Sequence, residues 1–283
     1  MLSTVAIRST KLPSGESVPV LGSGTWGLAE DRHPWKQESE ALRLGLDLGL
    51  ALIDTAEMYA DGGAEKLTGE VIAGRRDDVF LVSKVLPQNA SRTGTVAACE
   101  RSLRRLQTDR LDLYLLHWRG AIPLKETLKG FEALLKADKI RYWGVSNFGI
   151  GDMEVLEDLA GEADVTTDQV LYNLTRRGIE YDLMPWCRQR NIPIMAYSPI
   201  EQGRMLDDPG LRKIAKHHDA TPAQVALAWL IRQEGVIAIP RAGVPEHVRE
   251  NRGALDLHLS HADLTALDRA FPPPSGPRPL EML

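Results

Sequence analysis

Seven positions along the chain close strand-like apolar runs with a side chain able to bind or react: Asp54, Lys84, His117, Ser146-Asn147, Gln169, Tyr197 and Arg241. Tyr59 stands just beyond the first of them, in Asp54-Thr55-Ala56-Glu57-Met58-Tyr59. These residue types supply what proton transfer needs. A phenol, with an unperturbed pKa of ~10, moves toward neutral pH when a neighbouring ammonium favours its phenolate. A desolvated lysine keeps its proton when a carboxylate stands beside it. An imidazole such as that of His117 donates or accepts a hydrogen bond at a reacting oxygen. Lysine at a strand end also suits imine formation, a second chemistry to weigh. Any one of these residues could end its strand because loops are solvated, but seven in succession point to one shared site.

A repeating fold must position them. The runs cover residues 21–24, 51–54, 79–84, 111–117, 140–146, 167–172, 192–197 and 236–239. Helix-period segments such as 35–48, 95–106, 123–137, 221–232 and 246–255 lie between them, with apolar residues at three- and four-residue steps. Alternating strands and helices need parallel pairing with helical crossovers, so the chain predicts one α/β domain over residues 1–283, a (β/α)8 TIM barrel. In that fold the strand C-termini converge on one rim, where active sites lie. An open doubly wound sheet is the alternative. An N-terminal β-hairpin is expected, with Pro13-Ser14-Gly15-Glu16 turning between Val5-Ala6-Ile7 and Val18-Pro19-Val20. The last helix is placed at 262–270, and the proline-rich stretch from Phe271 to Pro279 predicts a short extended C-terminal tail. Gly22-Ser23-Gly24-Thr25-Trp26-Gly27 satisfies a dinucleotide-binding glycine pattern, but no helix opens at its last glycine, so it reads as a barrel loop.

Composition narrows the function classes. With 43% hydrophobic and 26% charged residues the chain is a globular protein, not a disordered or disulfide-stapled one. A formal net charge of -5 leaves no basic excess for nucleic acid. No stretch approaches the ~18 apolar residues of a membrane span, and no basic region precedes an apolar run at the start. Cys99 and Cys187 form no CxxC pair, which suits a reducing compartment, so a cytoplasmic protein is expected. The imidazole pairs His217-His218 and His258 with His261 lack a third ligand at metal spacing, and no metal is expected.

The segment Asp54 to Tyr59, with Ser83-Lys84 and Leu116-His117, resembles the catalytic constellation of the aldo-keto reductase superfamily. The resemblance runs from Gly22-Ser23-Gly24-Thr25-Trp26 to Ile239-Pro240-Arg241 and Glu250-Asn251, and is of the bacterial type with a short tail. It implies NAD(P)H-dependent reduction of aldehydes and ketones. Such a reaction needs hydride at carbon and a proton at oxygen; no side chain supplies hydride, so a nicotinamide cofactor must. Tyr59 is then the general acid, Lys84 tunes it, Asp54 holds Lys84, and His117 fixes the angle of the substrate oxygen.

The same resemblance implies a cofactor site. Ser146, Asn147 and Gln169 match the groups for the nicotinamide carboxamide, which needs both a donor and an acceptor. Tyr197 matches the ring that stacks on nicotinamide. Gly24, Thr25 and Trp26 match the first-strand loop beside it, with Asp54 adjoining; Ser198, Gln202 and Gly203 border the pyrophosphate. Arg241, after Ile239, falls where the adenosine 2'-phosphate is read, since a guanidinium pairs with phosphate through two parallel hydrogen bonds. Ala242 replaces a common serine, Gly243 and Val244 lack hydroxyls, and His247 stands where arginine is frequent, while Glu250 and Asn251 keep the adenine side. NADPH is the expected cofactor, with NADH possible.

For the carbonyl substrate, Trp26, Tyr59, His117 and Trp118 are the expected binding residues, with Met58 at the mouth and Arg119 as an anion attractor. A short tail implies an open, permissive site. A monomer is the family-based expectation. Two other functions compete: a cofactor-sensing subunit without catalysis, and a lyase using Lys84 as a Schiff-base nucleophile, which a charge-holding Asp54 argues against.

Overall fold

The protein is described by a computed structural model over residues 7–160 and 165–283. A small antiparallel pair, β1 (Ser9–Lys11) and β2 (Ser17–Pro19), precedes eight strands: β3 (Ser23–Gly24), β4 (Leu52–Asp54), β5 (Phe80–Val85), β6 (Leu111–Leu116), β7 (Ile140–Ser146), β8 (Asp168–Leu171), β9 (Ile194–Tyr197) and β10 (Val236–Ala238). These eight pair in parallel, in sequence order from β3 to β10. The seam closes between first and last: Leu21 bridges Ala238, Gly24 bridges Arg241, and the Gly24 amide donates to the Pro240 carbonyl at 3.0 Å. A Cβ on Gly24 would sit 2.7 Å from the Ile239 carbonyl oxygen, so the close approach requires glycine. The expected TIM barrel is the observed fold, and the open sheet is excluded.

Every residue of β5 and β6 is buried, as strands covered by helices outside and side chains inside must be. The helices are α1 (Trp35–Asp47), α2 (Gly63–Ile72), α3 (Arg92–Leu106), α4 (Leu124–Lys136), α5 (Ile150–Ala160), α6 (Leu183–Gln189), α7 (Pro209–His217), α8 (Pro222–Ile231), α9 (Pro245–Gly253) and α10 (His261–Ala270). Their starts are written locally: Ser91 caps α3, Thr221 and Gln224 form a capping box on α8 with Pro222 in the first turn, and Ser260 and Asp263 do the same for α10. The first turn of α10 is also tied to the end of α7, where His218 Nε2 lies 2.9 Å from Asp263. The barrel core is formed by Leu52, Val82, Leu113, Leu115, Met195, Ile237 and Ile239, and the hairpin residues Leu12 and Val18 join it. The hairpin plugs the barrel floor. Glu16 accepts from Arg141 and Tyr142 there, at 2.5 and 2.7 Å. The polar strand ends singled out in the sequence lie at the opposite rim.

The hairpin turn falls where expected, but its first strand is Ser9–Lys11. Of the expected run Val5-Ala6-Ile7, Val5 and Ala6 lie outside the described residues, and Ile7 packs against Gly49. The tail beyond α10 has no regular structure, as its prolines predict, yet it does not project away. Leu280 packs on the core, and Glu281 pairs with Arg176 at 2.5 Å. The tail therefore lies against the loops after β7 and β8, on the rim itself, and encloses with Gly149, Leu171 and Arg176 a cavity of about 230 Å³. The mouth residues Trp26 and Met58 stay exposed, at 44% and 40%.

Candidate active site

Three strand ends, those of β4, β5 and β6, bring their polar residues together on the rim. Lys84, fully buried, donates from Nζ to Asp54 Oδ2 at 2.8 Å, to the Thr55 carbonyl at 2.9 Å and to Tyr59 Oη at 3.1 Å. All three ammonium protons are used. Burial works against the charged amine, but Asp54 and Tyr59 outweigh it, and the Lys84 pKa lies above the usual lysine value. Tyr59 is nearly as buried, and the expected downward shift of its phenol is not the net result. Burial raises it, Lys84 pulls it back, and Asp54 raises it again, so the phenol holds its proton more firmly than a free tyrosine. The His117 ring meets Tyr59 edge to face, with centroids 5.7 Å apart. Burial, aided by Lys84, drives the His117 pKa down from 6.5 to about 2, so the ring is neutral. Its Nδ1 is buried with no partner among the described residues.

Residues not singled out in the sequence hold this group in place. Tyr59 opens a turn in which Ala60, Asp61 and Gly62 all have positive φ, at 49°, 51° and 85°. Such a turn needs outside support. Arg105 closes on Gly62 and pairs with Glu65 at 2.6 Å, and Glu65 accepts from Ser83, beside Lys84, at 2.6 Å. On the other side Glu57 accepts from the Leu86 amide and Asn89 Nδ2, each at 2.9 Å. Acidic residues at loop starts are common, and only the three-dimensional partners distinguish these.

The amide residues lie next to the proton-transfer group. Gln169 Nε2 donates to Asp54 Oδ1 at 2.8 Å and to Met195 Sδ at 2.9 Å, which leaves its carbonyl oxygen as an acceptor. Ser146 Oγ donates to the main-chain carbonyl of Gln169 at 2.8 Å. Asn147, at φ 60°, donates to the His117 carbonyl at 3.1 Å and accepts from Tyr197 Oη at 2.9 Å. The Tyr197 ring is half-buried, and the backbone amide of Leu283 faces its hydroxyl. Thr25 donates to the Asp54 carbonyl at 3.0 Å, and Trp26 is 44% exposed beside it.

Beyond Tyr197 the chain turns tightly, with Ser198, Glu201, Gln202 and Gly203 all at positive φ. Glu201 holds that turn by accepting from Asn173 at 2.8 Å and pairing with Arg176 and Arg204, both at 2.9 Å. At the seam, Arg241 donates to the Gly27 carbonyl at 3.3 Å, while its Nε is buried with no partner among the described residues. An orphaned guanidinium N–H with no carboxylate on it suits an anionic ligand such as a phosphate. Ala242 and Asn251 are buried, and His247 is exposed on α9. Two expected residues are otherwise engaged: the Ile239 side chain belongs to the barrel core, and Glu250 accepts from Thr221 Oγ1 at 2.5 Å. At the mouth, Trp118 tilts on His117 with centroids 4.9 Å apart, and Met58 is 40% exposed. Arg119, expected to attract an anion, is paired with Asp152.

A closed eight-stranded barrel with a buried phenol, ammonium and carboxylate at its rim defines a class of barrel proteins built for proton transfer. Residues 20–271 match the aldo/keto reductase family. The chain belongs to that family. It is 52% identical to methylglyoxal reductase YeaE of Escherichia coli over 272 residues, 94% of this chain and 96% of the relative. It is 33% identical to glyoxal reductase of Bacillus subtilis, covering 97% of each. Among solved structures, an aldo/keto reductase from Klebsiella pneumoniae in complex with NADP and acetate superposes with a TM-score of 0.95 at 49% identity, covering 98% of this chain and all of that one.

Proposed function

We propose that the protein reduces small aldehydes and ketones, 2-oxoaldehydes among them, to alcohols with NADPH as hydride donor. The observation that carries this is the Tyr59 hydroxyl held at 3.1 Å by a buried, fully bonded Lys84 ammonium, beside a neutral His117. The relatives named methylglyoxal and glyoxal reductases and the neighbour bound to NADP support the substrate class and the cofactor. When bound, the cofactor supplies hydride to the carbonyl carbon.

The chain's own residues do the rest. Tyr59 donates its proton to the substrate oxygen, and Lys84 stabilises the phenolate left behind. Asp54 keeps Lys84 charged and in place through its 2.8 Å contact. The neutral imidazole of His117 orients the substrate oxygen without adding a charge. Ser146, Asn147 and the side-chain carbonyl of Gln169 would hold the carboxamide, the half-buried Tyr197 ring would stack on the nicotinamide, and the Nε of Arg241, without a partner among the described residues, fits the 2'-phosphate. Trp26, Trp118 and Met58 would line the substrate mouth. The engaged ammonium also disfavours imine formation, which requires a free amine lone pair.

Incubation with NADPH and methylglyoxal, followed by nicotinamide absorbance, tests this reading against the two alternatives. Turnover is expected. A lysine adduct trapped by borohydride would instead mark a lyase, and tight NADPH binding without turnover a sensor. We also expect a monomer acting in a reducing cytoplasm, consistent with two buried free thiols at Cys99 and Cys187.

A further inference from the structure

The rim carries one feature that the reaction chemistry leaves unexplained: a second guanidinium beside Arg241. Arg32 lies in the loop between β3 and α1, far in sequence from the segment after β10. Its Cζ and the Nε of Arg241 each lie 3.7 Å from the point that a Cβ on Gly27 would occupy. The neighbouring His33 ring approaches within 2.7 Å of the corresponding point on Gly243, where Arg241 Nη2 stands at 3.5 Å. The first barrel loop is thus folded over the Arg241 segment. It gets there through alternate left-handed residues, Gly27, Ala29 and Asp31, at φ 76°, 60° and 58°. Two of these are not glycine, a conformation held only when surrounding contacts enforce it.

Two like charges brought together at a seam repel unless something negative lies between them. The effect is visible on Arg241, whose pKa is lowered by burial and then by Arg32. Glu38 and Glu30 act on Arg241 in the opposite sense. Glu30 lies 3.7 Å from Arg32 and Glu38 accepts from the Ala29 amide at 2.7 Å, but among the described contacts neither forms an ion pair with Arg241. Next to them, Ala242, Gly243 and Val244 offer a phosphate no hydroxyl.

We propose that Arg32 is a second cation for the adenosine 2'-phosphate, supplied by the first barrel loop in place of the groups missing after β10. The proposal rests on the NADPH reading above and deepens it. A dianionic phosphate facing both guanidiniums turns their repulsion into attraction, and a cofactor without that phosphate gains nothing from Arg32. Coenzyme choice then depends on two loops at once.

Isothermal titration of the full-length protein with adenosine 2',5'-bisphosphate and, separately, adenosine 5'-monophosphate tests this without turnover. Arg32→Ala is expected to weaken the bisphosphate about tenfold and leave the monophosphate unchanged, a modest loss because solvent screens the half-exposed Arg32. Arg32→Lys should restore part of the loss, since an ammonium keeps the charge but not the planar fork. If Arg32→Ala leaves the ratio of the two affinities intact while Arg241→Ala collapses it, Arg32 is a solvent residue and the NADPH reading stands without it. Equal weakening of both nucleotides would make Arg32 a loop-shaping residue and overturn the proposal. A wild-type protein that fails to distinguish the two nucleotides would remove the NADPH reading and this inference together.

Discussion

Acidification is the perturbation most directly tied to the site's electrostatics, because His117 is held neutral at the cost of stability in acid. Its pKa is 6.5 in an unfolded chain and about 2 in the folded protein, chiefly through burial. Below the unfolded value the unfolded chain binds a proton that the folded one refuses, so stability falls with falling pH, and the loss is complete only near the folded value. At about pH 5 the contribution from this one ring is ~2 kcal/mol relative to neutral pH, at ~1.4 kcal/mol per unit. For a chain of this size that corresponds to a melting temperature lower by about 3–4 °C. His117→Gln keeps a hydrogen-bonding group and removes the titration. Thermal unfolding of both proteins at about pH 7 and about pH 5 should therefore show wild type losing ~2 kcal/mol more than the variant. Asp168, a buried carboxyl whose pKa burial raises, is common to both proteins and cancels in the difference. Parallel losses would refute the argument: His117 would then take up its proton in the folded state, and an imidazolium would stand beside the Lys84 ammonium. The reduction rate is expected to show no histidine ionisation over the same range.

Three further outcomes follow from the same geometry. Tyr59→Phe should lose roughly 10²- to 10⁴-fold in reduction rate while binding NADPH normally, and near-normal turnover would move the proton donor elsewhere, with His117 the first suspect. Lys84→Met removes the one influence that lowers the Tyr59 pKa, so the alkaline limb of its residual pH–rate profile should move upward; a limb that stays put would count against the electrostatic role. The same variant should be destabilised in denaturant titration by about 3–5 kcal/mol, because Asp54 loses its buried cation. Arg241→Ala should reduce the preference for NADPH over NADH by roughly ten- to a hundredfold in binding titrations, and comparable losses for both coenzymes would assign the residue to loop support.

The barrel was legible because its signals are local and repeated. Apolar runs such as 111–117 end in a polar residue, helix-period segments such as 221–232 lie between the runs, and the glycine-rich loop lacks a helix at its last glycine. What was not legible depends on pairings across the fold. Glu65 and Arg105 are 40 residues apart and Arg176 and Glu281 are 105 apart, and no spacing rule links either pair. The tail's composition predicted extended chain, which is correct, but not that Leu280 would find an apolar seat on the rim. Arg119 shows the reverse error: an unpaired charge in the sequence met Asp152 in the fold.

The sign of the Tyr59 shift is the most instructive difference. Sequence chemistry considers a phenol and an ammonium in isolation, and that pair alone lowers the phenol's pKa. In the fold, the carboxylate that keeps Lys84 charged also acts on Tyr59, and burial and that carboxylate together penalise the phenolate more than Lys84 rewards it. The three groups cannot be tuned separately, because Asp54 and Tyr59 are both bonded to one buried Nζ. On the proposed mechanism this coupling has a use. A phenol ionised at neutral pH would have no proton to give, whereas one whose pKa is raised keeps it until a substrate oxygen gains charge beside it. Lys84 then lowers the cost of the phenolate at the moment it forms, which is the stage at which stabilisation accelerates the reaction.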